Sequence, residues 1–221
     1  MKDMFAAIVD HSDKPIFDDE FLTQDEAFNL FKWDDVEHLL NNNIDKFELI
    51  GEDKLKVKIP MIEEGWLGKT QDNKFIQEKI TEGKSFVITA TSFYNEKITN
   101  ISAVLEKITG YGTNCHVYGN NSNDGGNSFS VHTDFTANLI VQTWGKSRWK
   151  VYDEIEDTPT RKATDEGLNC IMDEILEPGS ALYIPPKKYH SCLPMSRRMS
   201  LSFAMMPQYK PKYEQREWLT L

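Results

Sequence analysis

The sequence predicts a mainly β fold, a sandwich or barrel with a helical N-terminal flank, and two observations carry that prediction. Up to Gly110 the apolar residues recur three and four apart, the helical period, with short extended runs between. After Gly110 the chain breaks into short β-rich runs punctuated by turn residues. Many short strands at such spacing close into a sandwich or barrel more readily than into any layered α/β arrangement.

The flank comes first. Thr23 followed by Glu26 is a capping box, and Trp33-Asp34-Asp35-Val36-Glu37-His38-Leu39-Leu40 is a second short helix with acids at its start. Phe47 to Ile59 reads as a strand pair around Gly51-Glu52-Asp53, Asp72 to Thr81 as a helix, and Ser85 to Thr89 as a strand leading in. Thr99 to Thr109 places Ile101, Val104, Leu105 and Ile108 on one helical face, and Gly110 stops it. The β-rich runs are Asn114–Tyr118, Phe129–His132, Asn138–Trp144, Arg148–Tyr152, Ile171–Leu176, Ala181–Ile184 and Met199–Met205. The division expected is residues 1–110 as flank and lead-in strands, 111–206 as the β core, and 207–221 as a polar, weakly packed tail, all within one structural domain. The polar loop from Gly119 to Asn127 and the acidic loop from Asp153 to Glu166 read as solvated connectors or as lids over a substrate.

Composition bounds function. Apolar residues make up 39% and charged residues 27% of 221 residues, ordinary for a globular protein that buries its own core. No stretch approaches the roughly 18 uncharged apolar residues that span a bilayer, and the patch Met4–Val9 is too small for a secretory signal, so the chain reads as cytoplasmic. The formal net charge is −10, and residues 1–35 carry ten acids against three lysines. That disfavours a phosphate backbone as partner. Cys115, Cys170 and Cys192 show no C-x-x-C spacing, which predicts three buried, reduced thiols rather than a disulfide framework. His11 and His38 lie in the acidic flank and read as solvent-facing.

The chemistry concentrates in the β region. Side chains two apart on an extended strand share a face, so Val131-His132-Thr133-Asp134 presents an imidazole beside a carboxylate. A third ligand is His190, reached after Glu177-Pro178-Gly179-Ser180-Ala181-Leu182-Tyr183-Ile184-Pro185-Pro186: a turn, an apolar strand, and a loop leading to the histidine. Two histidines and one carboxylate on one side of a metal leave adjacent coordination positions open, the arrangement of non-haem Fe(II) oxygenases.

From Phe31 to Met206 the chain resembles the cupin-type JmjC oxygenases, in particular the ribosomal-oxygenase group. The stretches that carry the resemblance are Phe31-Lys32-Trp33-Asp34-Asp35-Val36, Asn114-Cys115-His116, His132-Thr133-Asp134, Gln142 through Tyr152, Pro178-Gly179 through His190, and Ser200-Leu201-Ser202-Phe203. The resemblance implies a double-stranded β-helix, a jelly-roll barrel, that binds Fe(II) through His132, Asp134 and His190. It implies 2-oxoglutarate as co-substrate and hydroxylation as the reaction, with the oxo-acid decarboxylated to succinate. The substrate implied is a side chain of a protein or peptide, with a small molecule left open, because larger members carry C-terminal parts for which 221 residues leave no room.

The distal carboxylate of 2-oxoglutarate needs a fixed cation. The family places Lys or Arg two residues after the glycine matching Gly145, and here that position is Ser147, with Lys146 and Arg148 on the opposite face by strand parity. Arg198, which shares parity with Ser200 and Ser202 in an Arg-x-Ser arrangement, is the expected substitute, with Lys146 or Arg148 as fallback if a bulge at Gly145 shifts the register. Asn114 and His116 match an Asn-x-Tyr element near the co-substrate, histidine replacing tyrosine. Asn138 and Gln142 share a face and either line the pocket or make local hydrogen bonds, while Trp144, Trp149 and Tyr183 read as packing residues. Two rival readings stand beside this one: a cupin metalloenzyme that does not use 2-oxoglutarate, kept open by Ser147, and a non-catalytic cupin-like binding module.

Overall fold

The structure, a computed structural model, describes residues 2–42, 44–63, 65 and 68–206; the expected polar tail from residue 207 onward lies outside them. The elements are, in chain order, α1 (Lys2–Val9), β1 (Ile16–Asp18), α2 (Gln24–Leu30), α3 (Trp33–Asn41), β2 (Phe47–Ile50), β3 (Lys56–Val57), β4 (Met61–Glu63), β5 (Lys69–Gln71), α4 (Asn73–Thr81) and β6 (Ser85–Ile88). There follow α5 (Glu96–Thr109), β7 (Gly112–Asn120), β8 (Ala137–Trp144), β9 (Ser147–Ile155), β10 (Cys170–Leu176), β11 (Ala181–Ile184), β12 (Lys188–Pro194) and β13 (Arg198–Met206). The helix starts follow local chemistry. Thr23 and Glu26 close the expected capping box on α2, Asp72 caps α4, and α5 runs from its Asn95 cap to Gly110, whose φ of 71° is a conformation glycine adopts at little cost.

The β elements form a mainly antiparallel jelly roll, as the sequence predicts. The major sheet has eight strands in the order β1-β11-β8-β13-β7-β6-β2-β3, and the minor sheet three, β10-β9-β12. Four of the eight major strands, β1, β2, β3 and β6, come from the first 110 residues, so flank and core share one sheet. Helices α1, α2 and α5 pack on the outer face of the major sheet. Among the described residues no helix is long and apolar enough to cross a membrane.

The central strand shows how the sheet is organised. In β13 Met199, Leu201, Phe203 and Met205 enter the main apolar core beneath the helices, while Arg198, Ser200 and Ser202 face the opposite way, into the barrel. Residues 198–205 are nonetheless all buried. Its neighbours follow the same rule: Leu139 and Val141 of β8 and Cys115 and Val117 of β7 join the core, whereas Asn138, Gln142, His116 and Tyr118 do not. Each fully buried Leu or Phe contributes about 1.5–3 kcal/mol, so stability concentrates on the helix-facing side. A smaller apolar cluster, including Ile140, Trp149, Val151 and Leu182, joins strands of the major and minor sheets. Gly145, at φ 63°, links β8 to β9 where a Cβ would meet the Arg197 carbonyl oxygen, so this turn admits no side chain.

Four local expectations are corrected. Phe129–His132 is not a strand: His132 makes only isolated bridges, to Arg161 and to His190. Conversely, the loop expected to carry His190 is the strand β12, paired antiparallel with β9. Val104 is 57% exposed: of the expected face Leu105 is buried and Ile101 and Ile108 pack against the core, and Ile98 and Thr109 join them where Val104 does not. Cys115 is buried, but Cys192 is half-buried and Cys170 exposed, and all three are free. His11 and His38 are exposed, as expected. The polar loop after β7 is anchored at its start: Asn120 is fully buried, donating to the Gly83 carbonyl (3.1 Å) and the Ser85 hydroxyl (2.9 Å) and accepting from Ser122 N–H (2.7 Å).

Candidate active site

One cavity in the barrel is lined by His132, Asp134, Asn138, His190, Arg198 and Ser202, with Tyr118, Phe129, Ile140 and Trp149 as its walls. Backbone pairing brings the first histidine to the second: His132 N–H donates to the His190 carbonyl (3.0 Å) and His190 N–H to the His132 carbonyl (2.9 Å). Lys187, at φ 68°, donates its N–H to the Asp134 carbonyl (2.7 Å) and so pins the third residue to the same turn. One donor atom from each of His132, Asp134 and His190 lies within 4.8 Å of the others, and His190 Nε2 is 3.6 Å from Asp134 Oδ2.

The imidazole tautomers follow from their neighbours. His132 Nδ1 is 2.8 Å from the Ser130 carbonyl and His190 Nδ1 is 3.0 Å from that of Lys188. A carbonyl only accepts, so each Nδ1 carries the proton and each Nε2 offers its lone pair to the cavity. Burial, followed by the neighbouring His190, holds the His132 imidazole down to about 4, so the ring is neutral near pH 7. Asn138 Nδ2 donates to Asp134 Oδ2 (3.3 Å), which orients the carboxylate. Two imidazole nitrogens and one carboxylate oxygen converging on a shared space suit a divalent transition metal.

At the other end of the cavity stands Arg198, only 2% exposed. Its Nη1 donates to Ser200 Oγ (3.0 Å), while its buried Nε has no hydrogen-bond partner among the described residues. A buried guanidinium with an unused donor costs stability unless an anion completes it. A polar relay fixes its position: Ser200 and Ser147 both donate to Gln142 Oε1 (2.8 Å each), Trp149 Nε1 donates to Ser147 Oγ (3.0 Å), and Gln142 Nε2 donates to the Trp144 carbonyl (2.6 Å). Ser147 thus faces inward, as parity requires, but serves as a relay member. Lys146 and Arg148 face outward and pair with Glu177 and Asp173 at the surface, so neither reaches the cavity.

The other candidates divide. Ser202 lines the cavity and donates to Asn138 Oδ1 (3.4 Å). His116 lines a second, adjoining cavity with His132 and Asp134, and its Nδ1 is buried without a partner among the described residues. Asn114 lines neither; its Oδ1 accepts from Ser92 Oγ (2.6 Å) and Cys115 N–H (2.8 Å). Sequence reasoning missed Tyr118, which lines both cavities and whose phenol is pushed up by burial. Extending the Asn114–His116 parity by two residues would have found it. It also missed Phe129 and Arg161, which flank His132.

Comparison with known proteins places this geometry. A family model described as the JmjC domain matches residues 90–213. Among solved structures the chain is similar to the ribosomal oxygenase YcfD of Escherichia coli in complex with cobalt and 2-oxoglutarate, with a TM-score of 0.59 and 18% identity over 92% of this chain and 50% of that one. Another crystal structure of the E. coli protein gives 0.62 and 16% over 95% and 54%. Among curated proteins, the bifunctional lysine-specific demethylase and histidyl-hydroxylase NO66 of Drosophila erecta is 24% identical over 139 residues, 60% of this chain and 21% of that protein. The chain therefore spans about half the length of the bacterial relatives and about a fifth of the fly protein, and identities this low speak for the fold alone. The family model covers more than half of the chain and contains all three convergent donors; the chain belongs to the JmjC domain family.

Proposed function

We propose that the protein is an Fe(II)- and 2-oxoglutarate-dependent oxygenase that hydroxylates a side chain of a protein or peptide. The observation that carries this reading is one cavity with a convergent His-Asp-His set at one end and a buried guanidinium with an unused donor at the other. It is supported by the cobalt and 2-oxoglutarate bound to the bacterial relative and by the hydroxylase activity in the fly protein's name.

In this reading His132, Asp134 and His190 hold Fe(II), which when bound supplies the dioxygen activation that converts 2-oxoglutarate to succinate and carbon dioxide and hydroxylates a substrate C–H bond. The chain's own groups do the rest. Arg198 binds the distal carboxylate with a charge-assisted hydrogen bond from its free Nε, and Ser202 offers a hydroxyl on the same wall. Gln142, through Ser200, keeps the guanidinium aimed. Asn138 holds the Asp134 carboxylate, and the Ser130 and Lys188 carbonyls hold the histidine tautomers. Trp149, stacked on His190 with ring centroids 6.3 Å apart, and Ile140 keep water from that end.

The test is succinate formation from 2-oxoglutarate in air with a pool of cellular peptides. The reading predicts production that needs added Fe(II) and is lost in Asp134→Ala. Production unaffected by that substitution, or iron binding without any succinate, would overturn it.

A further inference from the structure

The cavity that ends at Arg198 is not the only space that His132 and Asp134 face. A second cavity of about 270 Å³ shares Tyr118, Phe129, His132 and Asp134 with it and opens toward Thr89, His116 and Arg161. Arg161 comes from the loop that sequence alone marks as acidic. It is held there by backbone pairing: Thr133 N–H donates to the Thr160 carbonyl (2.9 Å), Lys162 N–H to the Val131 carbonyl (2.8 Å), and Thr160 N–H to Thr133 Oγ1 (3.0 Å). Residues 160–162 therefore run antiparallel to the segment that carries His132 and Asp134.

Of the two cations that line this cavity, Lys56 is paired and Arg161, among the described residues, is not, whereas Lys162 and Arg197, also laid on aromatic rings, lie outside it. Lys56, Lys146, Arg148, Lys150, Lys187 and Lys188 each form an ion pair with an acid. Although the loop around it holds six acids, Arg161 forms no ion pair among the described residues; its guanidinium lies 4.7 Å over the Phe129 ring. A guanidinium laid on an aromatic face keeps its edge donors free for a planar anion. Besides Asp134, the acid lining this cavity is Glu48, and Lys56 neutralises it at 2.7 Å.

We infer that the second cavity receives the substrate and that Arg161 binds a carboxylate carried beside the reacting carbon, so that the substrate is an acidic peptide segment. The inference rests on the oxygenase reading for what happens at that carbon, but the anion site stands on Arg161 alone. A net charge of −10 opposes long-range attraction of such a peptide. Arg161 therefore selects the position of an acid close to the metal ligands rather than driving encounter.

The experiment compares two isosteric probes, N-acetyl-aspartyl-phenylalanine amide and its asparaginyl counterpart, titrated by saturation-transfer NMR against the full chain and its Arg161→Gln, Arg161→Lys and Arg198→Ala variants. The expected result is a preference of about tenfold for the aspartyl probe, as a charge-assisted hydrogen bond gives. It persists in Arg198→Ala and in large part in Arg161→Lys, and disappears in Arg161→Gln. Equal binding of the two probes by the native chain, or a preference that survives Arg161→Gln, overturns the assignment, as does one lost only in Arg198→Ala. No arm needs metal or turnover, so a failed oxygenase reading shows in succinate formation and not here.

Discussion

The two faces of β13 are equally buried and chemically opposite. On the helix side Met199, Leu201, Phe203 and Met205 are carbon against carbon, and their burial is itself the contribution to stability. On the barrel side Arg198, Ser200 and Ser202 are as deeply buried but polar, and they are tolerated because Ser200 and Ser202 donate to Gln142 and Asn138 while Arg198 donates to Ser200. The exception is Arg198 Nε. One face is finished by folding; the other keeps an unused donor that a carboxylate completes.

Substitutions on the two faces should therefore separate stability from ligand binding. The largest effect is expected from Leu201→Ala, which should lower unfolding free energy by about 2–5 kcal/mol, read by urea denaturation, while the fraction that stays folded binds 2-oxoglutarate as before. Arg198→Ala should do the reverse. Removing a buried, incompletely paired cation leaves stability unchanged or higher, while calorimetric 2-oxoglutarate affinity falls by roughly a hundredfold, the size of a charge-assisted contact pair. A fall in stability as large as that of Leu201→Ala would mean that the inner face is structural. Gln142→Leu should show both effects at smaller size, about 1–3 kcal/mol of stability for two buried hydroxyls left without an acceptor and a partial loss of affinity as Ser200 is released. Smallest is Lys146→Ala, which removes an exposed pair with Glu177. It should cost less than about 1 kcal/mol and leave 2-oxoglutarate affinity unchanged; a marked loss would return the clamp to the β8–β9 turn.

What the sequence disclosed follows the same division. Strict alternation from Arg198 to Ser202 showed that Arg198, Ser200 and Ser202 share a face, and parity alone turned Lys146 and Arg148 outward, because strand geometry is a local rule. The capping box at Thr23 and the glycine stop at Gly110 were legible for the same reason. Contacts between distant segments were not. β12 was hidden because Lys188, Ser191 and Pro194 interrupt any apolar alternation, and its strand character comes from pairing with β9. Phe129–His132 has strand-like residues but pairs only at His132. Asn114 is claimed by Ser92, 22 residues away, and Arg161 reaches His132 from a loop whose composition gave no sign of it.

The central claim is that the convergent His-Asp-His set and Arg198 serve one metal and one oxo-acid together. The direct measurement is the metal-to-ligand charge-transfer absorption after anaerobic addition of Fe(II) and 2-oxoglutarate to the native chain, Asp134→Ala and Arg198→Ala. The account predicts a band in the native protein that is absent in Asp134→Ala and appears in Arg198→Ala only at much higher 2-oxoglutarate. A native chain that binds iron without a band, or a band indifferent to both substitutions, would contradict it.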